Sequence, residues 1–526
     1  MIRRLVVVIA SLPFLLALGE LPGSALSEVP GEQVWATRYG SASHDDGAGD
    51  VGLSPDGSTL YVTGTSAGAG TADDYATVAY DASTGTQLWE QRYDGGTGRR
   101  DRAGSLDLSP DGSKVFVTGW SGSTTSKVDY ATVAYDAASG AQLWVTRYTS
   151  AGRHYEFPHD IVASPDGSSV IVTGNTQVNK ADFLTVAYDP STGAELWVAR
   201  YRPGWSASGL GMSPDGSVVF VTGMTNIRYR TPTTPRVTAD FGTVAYDAST
   251  GVKLWSQTYD AGFGHNDYAG ALDLSPDGST LFVLGQSAGP TRQTDYATVA
   301  YDSSSGAEKW VTRYTGPHNR TDRPSGIVAS PDGSAVFVTG YGYGRTDVFE
   351  YQTLAYDAST GDTLWVKRYD GRGDASAAAF DIGVSPDGAH VFVTGGRVDS
   401  DTGELSGDVD YATVAYDALT GARSWTQRYD GSSDDRDYLE FGGHALVVSL
   451  DGSRLFVTGA SHGSGTRKDY ATVAYSIWRA ASAARNLTGS MTFDGETFPG
   501  MDNLDLGAGY LYRERGERPP MEWRGK

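Results

Sequence analysis

The chain has 526 residues, carries a formal net charge of −22 with a pI near 4.7, and contains no cysteine. The acidic balance excludes a nucleic-acid-binding protein, which needs a basic face to displace counterions. The missing thiols exclude disulfides, thiol catalysis, thiolate metal sites and a lipid anchor on cysteine, while 68 glycines and 31 tyrosines against 6 methionines point to an all-β protein with many turns.

The first element is an export signal over residues 1–25. Arg3 and Arg4 precede an apolar run from Leu5 to Leu18, and Gly23-Ser24-Ala25 offers small residues for cleavage. Pro13 inside the run argues against a retained anchor. No second long apolar run follows, so no membrane span is expected after cleavage, and the location is expected to be periplasmic or extracellular.

From Val34 to Tyr475 a single unit recurs. It opens with Ser-Pro-Asp-Gly at Ser54, Ser109, Ser164, Ser213, Ser275, Ser330 and Ser385, and with Ser-Leu-Asp-Gly at Ser449. The intervals are 55, 55, 49, 62, 55, 55 and 64 residues, the length of one four-stranded supersecondary unit. In the first copy a strand leads into the Pro-Asp-Gly turn, where Pro presets φ and Asp-Gly closes the hairpin. Leu60 to Gly64 forms the second strand, Tyr75 to Asp81 the third, and Leu88 to Tyr93 the fourth. Both faces of the third strand are uncharged, which predicts a sheet buried on both sides.

The last copy stops at Tyr475 without its Trp strand, and that strand, Val34 to Tyr39, stands alone ahead of the first copy. An open solenoid has no use for an orphan strand at the far end of the chain, whereas a ring closes by pairing it with the last unit. The expected fold is therefore all-β: an eight-bladed β-propeller over 33–475, closed by Trp35's strand against Tyr470 to Tyr475. Residues 476–526 change composition, with few β runs, and are expected to form a loosely packed or disordered tail.

The segment Ala79-Tyr80-Asp81-Ala82-Ser83-Thr84-Gly85-Thr86-Gln87-Leu88-Trp89 resembles the tryptophan-docking motif of quinoprotein (PQQ) dehydrogenase propellers. It recurs ending at Trp144, Trp197, Trp255, Trp310, Trp365 and Trp425, with Ser139 and Ser305 in place of Thr. The resemblance implies that each Trp, Trp35 included, stacks on the turn of a neighbouring blade, a structural role. It does not carry the family's quinone site over, because the paired cysteines and the long inserted segments are missing. The turn and Val-Thr-Gly pattern also resembles the repeats of surface-layer and lactonase-like propellers.

Candidate sites are sought where the copies differ. An acid precedes the third strand in every copy (Asp74, Asp129, Asp182, Asp240, Asp295, Glu350, Asp410, Asp469), and this regularity predicts turn capping through backbone N–H groups. A second acid recurs in five copies only: Asp46, Asp101, Glu156, Asp267 and Asp322, replaced elsewhere by Trp205, Ala377 and Phe441. These five either line the channel mouth, where they would suit a hard cation, or cap their loops, with Arg102, Arg320 and Arg323 near enough in sequence to pair with them. The loop from Met224 to Ala239 carries Arg228, Arg230 and Arg236, a basic patch suited to a carboxylate or anionic glycan. Asp399 and Asp401 belong to a partial Asp-x-Asp-x-Gly calcium loop. His44, His154, His159, His265, His318 and His444 fall in connections between the fourth and first strands.

No catalytic residue emerges. The reading is an exported, monomeric binding or scaffold propeller that presents one loop face to a protein, glycan or cell-wall ligand. The alternative is an enzyme with an axial metal or cofactor, either a PQQ-dependent oxidoreductase or a lactonase-like hydrolase. Calcium is compatible with the acids; PQQ is not expected.

Overall fold

The computed structural model describes residues 29–477, apart from connecting segments at 41–44, 68–72, 123–127, 151–154, 229–237, 291–292, 345–347, 372–375, 399–408, 432–445 and 463–467 and single positions between them, together with two short strands near the C-terminus. The signal segment lies outside the described residues. Two units are present, and the larger runs from Pro30 to Trp478. It contains eight four-stranded antiparallel sheets and, among the described residues, no helix.

In the first blade the order is Gly47–Leu53, Thr59–Ala67, Asp73–Asp81 and Gln87–Tyr93, from the axis outwards. The eight axial strands pack against one another in a ring, and the last of them, Leu446–Val448, meets Gly47–Leu53. The eighth blade takes its outer strand, Gln33–Tyr39, from the other end of the chain. That strand pairs antiparallel with Lys468–Ser476, with Trp35 opposite Ala474 and Tyr39 opposite Tyr470. The predicted closure is borne out.

Third strands are buried on both faces because each blade lies between two others. Eight apolar clusters result, one per blade junction. The closing one joins Trp35, Phe456, Tyr470 and Ala474 to Val51, Leu60, Val62 and Val78. Each Trp leans on the positive-φ glycine of the next blade's outer turn, Trp35 on Gly85 and Trp89 on Gly140 for example. Seven indole N–H groups donate to a carbonyl of that same turn at 2.8–3.1 Å. Such a ring buries roughly 150–250 Å² per Trp, on the order of 4–6 kcal/mol as an upper bound.

A second, smaller ring surrounds the axis at the Ser-Pro-Asp-Gly hairpins. The proline of each hairpin abuts the glycine of the next, from Pro55 on Gly112 to Pro386 on Gly452. The contact fails only at closure, where Leu450 replaces proline, is largely exposed, and leaves Gly57 with nothing within 4 Å.

The propeller reaches slightly beyond 33–475: Ser476 completes the last third strand and Ile477 is buried. In the smaller unit the described residues are a two-stranded hairpin of Met491–Phe493 and Glu496–Phe498.

Candidate functional site: the axial cavity and its upper mouth

Axial strands run from the face bearing the fourth-to-first and second-to-third connections, here the upper face, down to the Ser-Pro-Asp-Gly turns. Each of the seven long axial strands contains a register shift just above its middle, as between Ala48 and Asp50 or Pro158 and Asp160. The residue skipped at these bulges is Gly49, Gly104, His159, Ser208, Gly270, Ser325 or Phe380. A bulge re-aims one side chain, and the last five of these residues line an axial cavity of about 860 Å³. Arg323, Tyr341 and Gln286 lie towards its upper end.

Five axial aspartates bridge blades, a set the sequence reading missed. Asp50 Oδ1 accepts the Val51 N–H at 2.7 Å, and its Oδ2 accepts the Leu106 N–H of the second blade at 2.8 Å. In the same way Asp107 reaches Ala163, Asp160 reaches Leu210, Asp273 reaches Ala329 and Asp381 reaches Leu446, at 2.7–3.1 Å. An axial strand is the inner edge of its sheet, so its inward N–H groups need acceptors, and the preceding blade supplies them. The available signal was an Asp two or four residues before the serine of the turn in five copies.

The five partly recurring acids do not line this cavity. Asp46, Asp101, Glu156, Asp267 and Asp322 are buried beneath the upper connections. Asp101 accepts the Gly95 and Gly122 N–H groups at 2.8 and 3.1 Å and the Ser121 hydroxyl. Asp267 does the same with Ala261, Ala288 and Ser287. Asp322 takes Gly316 N–H at 2.7 Å and the Gln352 amide at 2.9 Å, Glu156 takes Ser150, and Asp46 takes Ala67 N–H at 3.1 Å. They hold the loop that enters each blade. The suggested arginine partners lie elsewhere: Arg102 pairs with Asp73 at 3.1 Å, and the guanidiniums of Arg320 and Arg323 cover tyrosine rings.

Four of the regular acids before the third strands, expected to cap turns, pair with arginines instead. Asp129, Asp295 and Asp469 receive the guanidinium of the fourth-strand Arg-Tyr pair, from Arg147, Arg313 and Arg38, at 3.3, 2.9 and 3.3 Å. Strand period explains the correction. Ala131 faces Arg147 directly, and Asp129, two residues away on the same face, is its diagonal neighbour. Asp182 pairs with Arg202 at 2.8 Å.

At five of the eight junctions the two sets of acids meet. A Cβ on Gly40 would lie 2.4 Å from Asp469 Oδ1 and 2.8 Å from Asp46 Oδ2. Asp74 with Asp101, and Asp240 with Asp267, bring carboxylate oxygens within 4.8 Å. Burial pushes Asp101, Glu156, Asp267 and Asp322 above the usual carboxylate range; the nearby Asp129 raises Glu156 further, and Asp295 does so for Asp322.

His159 lies in an axial strand and not in a connection. Its Nε2 is 2.8 Å from Asn175 Oδ1. Although its surface meets the cavity, the enclosing blades depress its pKa below the ordinary histidine value. His44, His154 and His444 fall outside the described residues, as do Arg230, Arg236, Asp399 and Asp401 and the side chain of Arg228.

Aromatic side chains cluster twice on the upper face. In one cluster Arg102 lies 5.7 Å over the ring of Trp120, Trp120 meets Phe157 edge to face at 6.5 Å, and Tyr155 stacks on Phe157. In the other, Tyr343, Phe349, Tyr341 and Phe380 form a chain of rings at 4.6, 5.2 and 6.3 Å, with Arg320 over Tyr343 and Arg323 over Tyr341.

Two carboxylate triplets have the spacing of a cation site, Asp74 with Asp94 and Asp101, and Asp240 with Asp260 and Asp267. Beside the second, Thr258 stands where the seven other copies have the arginine of the Arg-Tyr pair. A calcium–quinone centre on the axis does not fit this donor set. The axial carboxylates already accept a backbone N–H on each oxygen, and no cysteine pair exists to cover a quinone.

The family model described as outer membrane protein assembly factor BamB, a PQQ-type repeat, matches residues 24–197, 181–321 and 295–498. No curated protein matches. Among solved structures, Chaetomium thermophilum Sqt1 bound to the N-terminus of ribosomal protein L10 is similar at a TM-score of 0.55 and 13% identity, over 85% of this chain and 100% of that one. Quinohemoprotein alcohol dehydrogenase ADHIIG from Pseudomonas putida HK5 follows at 0.50 and 14% identity, over 87% and 78%. The Comamonas testosteroni quinohemoprotein alcohol dehydrogenase gives 0.46 and 14%, over 91% and 79%. At these identities the likeness is one of fold. The length and continuity of the family match establish more: the chain belongs to the BamB-type family of PQQ-like β-propeller repeats.

Proposed function

We propose that this protein is an exported binding propeller that holds a protein, glycan or cell-wall ligand on its upper face. One observation carries the reading. The recurring carboxylates are engaged in bridging blades and holding loops, while the side chains that break the repeat, Arg102, Trp120, Tyr155, Arg320, Arg323 and Tyr343 among them, gather on that face. Aromatic and arginine side chains are the residue types that dominate binding energy at interfaces. Among structural relatives, Sqt1 was solved bound to the N-terminus of another protein. The N-terminal Arg3-Arg4 and Leu5 to Leu18 pattern supports export.

Convergence of the five partly recurring acids on a cavity would favour the enzyme alternative, and none of them lines the axial one. The test is retention of the purified mature protein by isolated cell envelopes, with Trp120→Ala and Tyr343→Ala as upper-face variants and Leu364→Ser on an outer strand as control. Loss of retention in the first two alone is expected. Equal retention by all three would remove the upper face from consideration.

A further inference from the structure

Arg102 and Trp120 are directly opposed across the first two strands of the second blade, and Arg323 and Tyr341 across those of the sixth. These are equivalent repeat positions: the arginine seven residues before the serine of the turn, the aromatic just after Val-Thr-Gly. The other described pairs at this position are Gly47 with Thr65, Phe157 with Asn175, Ser206 with Met224, Tyr268 with Gln286, and Ala378 with Gly396. Among them no other blade combines arginine with an aromatic ring. Blades two and six are half a turn apart in a ring of eight; Arg323 and Tyr341 line the upper end of the axial cavity, and Arg102 and Trp120 hold the equivalent repeat positions on the opposite side of the ring. Each is extended by the following blade, through Phe157 on one side and Phe380 on the other.

We infer that these two clusters form the opposed walls of one site, which clamps an extended acidic peptide segment of a partner protein across the mouth. The inference rests on the binding role proposed above and names its ligand. Three observations favour a peptide. Tyr341 is only 6% exposed, meets Phe349 and Phe380 edge to face at 81° and 74°, and is covered by Arg323, which hides the flat ring face on which a sugar would stack. Arginine with tyrosine and tryptophan is the composition of protein hot spots. Finally, the guanidiniums of Arg320 and Arg323 are local cations on a protein of net charge −22, held in place over aromatic rings, and they select for acidic side chains.

The probe is a display library of random extended peptides, panned on the full mature protein and on Arg102→Gln, Arg323→Gln and the double variant. Thermal melting verifies that all four fold alike. Expected are peptides combining Asp or Glu with Phe, Tyr or Trp, binding one per chain, weakened about tenfold by either arginine change and further by both, as for loss of one charge-assisted bond each. Two peptides bound per chain, dependence on one arginine only, basic or no enriched sequences, or unchanged binding to the double variant would each overturn the clamp. Tetragalacturonate serves as a separate arm. If it alone binds with the arginine dependence, the peptide assignment falls while the binding role of the face stands.

Discussion

The indole of Trp425 rests on Gly31, a residue 394 positions earlier in the chain, as every other docking Trp rests on a glycine of the next blade; a Cβ on Gly31 would come within 2.8 Å of the ring. The eighth docking turn is therefore built from two chain ends. Gly31 N–H donates to Ser476 O at 2.8 Å and Ser476 N–H to Glu32 O at 2.9 Å. These reproduce the bonds Gly85 N–H to Asp81 O and Asp81 N–H to Thr86 O of an unbroken turn. Gly31 holds φ at 79°, so both conformation and space require glycine. Gly31→Ala is expected to lower unfolding stability by roughly 1–3 kcal/mol, read as a lower urea midpoint. An unchanged midpoint would show that closure does not depend on this turn.

Deleting 34–39 removes the outer strand of the eighth blade and leaves the edge of Lys468–Ser476 unpaired. Self-association through that edge and a lower melting temperature are the expected outcomes, visible by size-exclusion chromatography and calorimetry. A monomer melting like the parent would contradict the closure.

Leu450 is the single departure from proline in the lower ring, and Gly57 beyond it lacks the contact its equivalents have. Leu450→Pro is expected to stabilise by about 0.4–1 kcal/mol, since all seven other hairpins show proline in contact at this position and the unfolded chain loses freedom. Chemical denaturation at constant m-value reads this directly.

Asp50 gives acceptors to Val51 and Leu106 N–H. In Asp50→Ala both donors lose their partner, which is expected to cost roughly 1–3 kcal/mol for each group left buried. Amide hydrogen exchange at Leu106 should rise. No change there would mean that the inter-blade bond adds nothing.

Stability should peak at mildly acidic pH. The turn aspartates Asp56, Asp111, Asp215, Asp277 and Asp332 are held at about 2, first by the hydroxyl of the preceding serine. The unfolded chain takes up protons there before the native one, so stability falls as pH drops from the ordinary carboxylate value towards 2. Asp101, Glu156, Asp267 and Asp322 are raised by burial. Here the native state keeps protons that the unfolded chain releases, so stability also falls as pH rises from the ordinary value through the raised ones. Glu156 Oε2 and Asp129 Oδ1 are both buried with no hydrogen-bond partner. Glu156→Gln keeps an acceptor for Ser150 and adds a donor, so it should flatten the alkaline decline and gain about 1 kcal/mol at neutral pH. A steeper decline in that variant would refute the account.

Blade number, strand order and the closing pair were legible in the sequence because they follow from a repeated local pattern and from one strand out of place. The docking glycines and the Ser-Pro-Asp-Gly hairpins are local too, so spacing and turn chemistry define them. The acids were harder. Asp129 was expected to cap a turn, yet its guanidinium partner comes from a strand eighteen residues on, a relation that depends on sheet register. Asp50 and its four counterparts sit in apolar-looking axial strands, and their purpose appears only when the next blade's edge N–H groups lie beside them. The stacking of Arg102 over Trp120 and of Arg323 over Tyr341 likewise depends on strand register, which sets each arginine opposite its ring. Sequence by itself determined the repeat, the turns and the ring, because each is a property of neighbouring residues or of a counted pattern. Only the tertiary structure decided which carboxylates serve the scaffold and which side chains line the axial cavity, because burial and proximity between distant segments arise when the ring is closed.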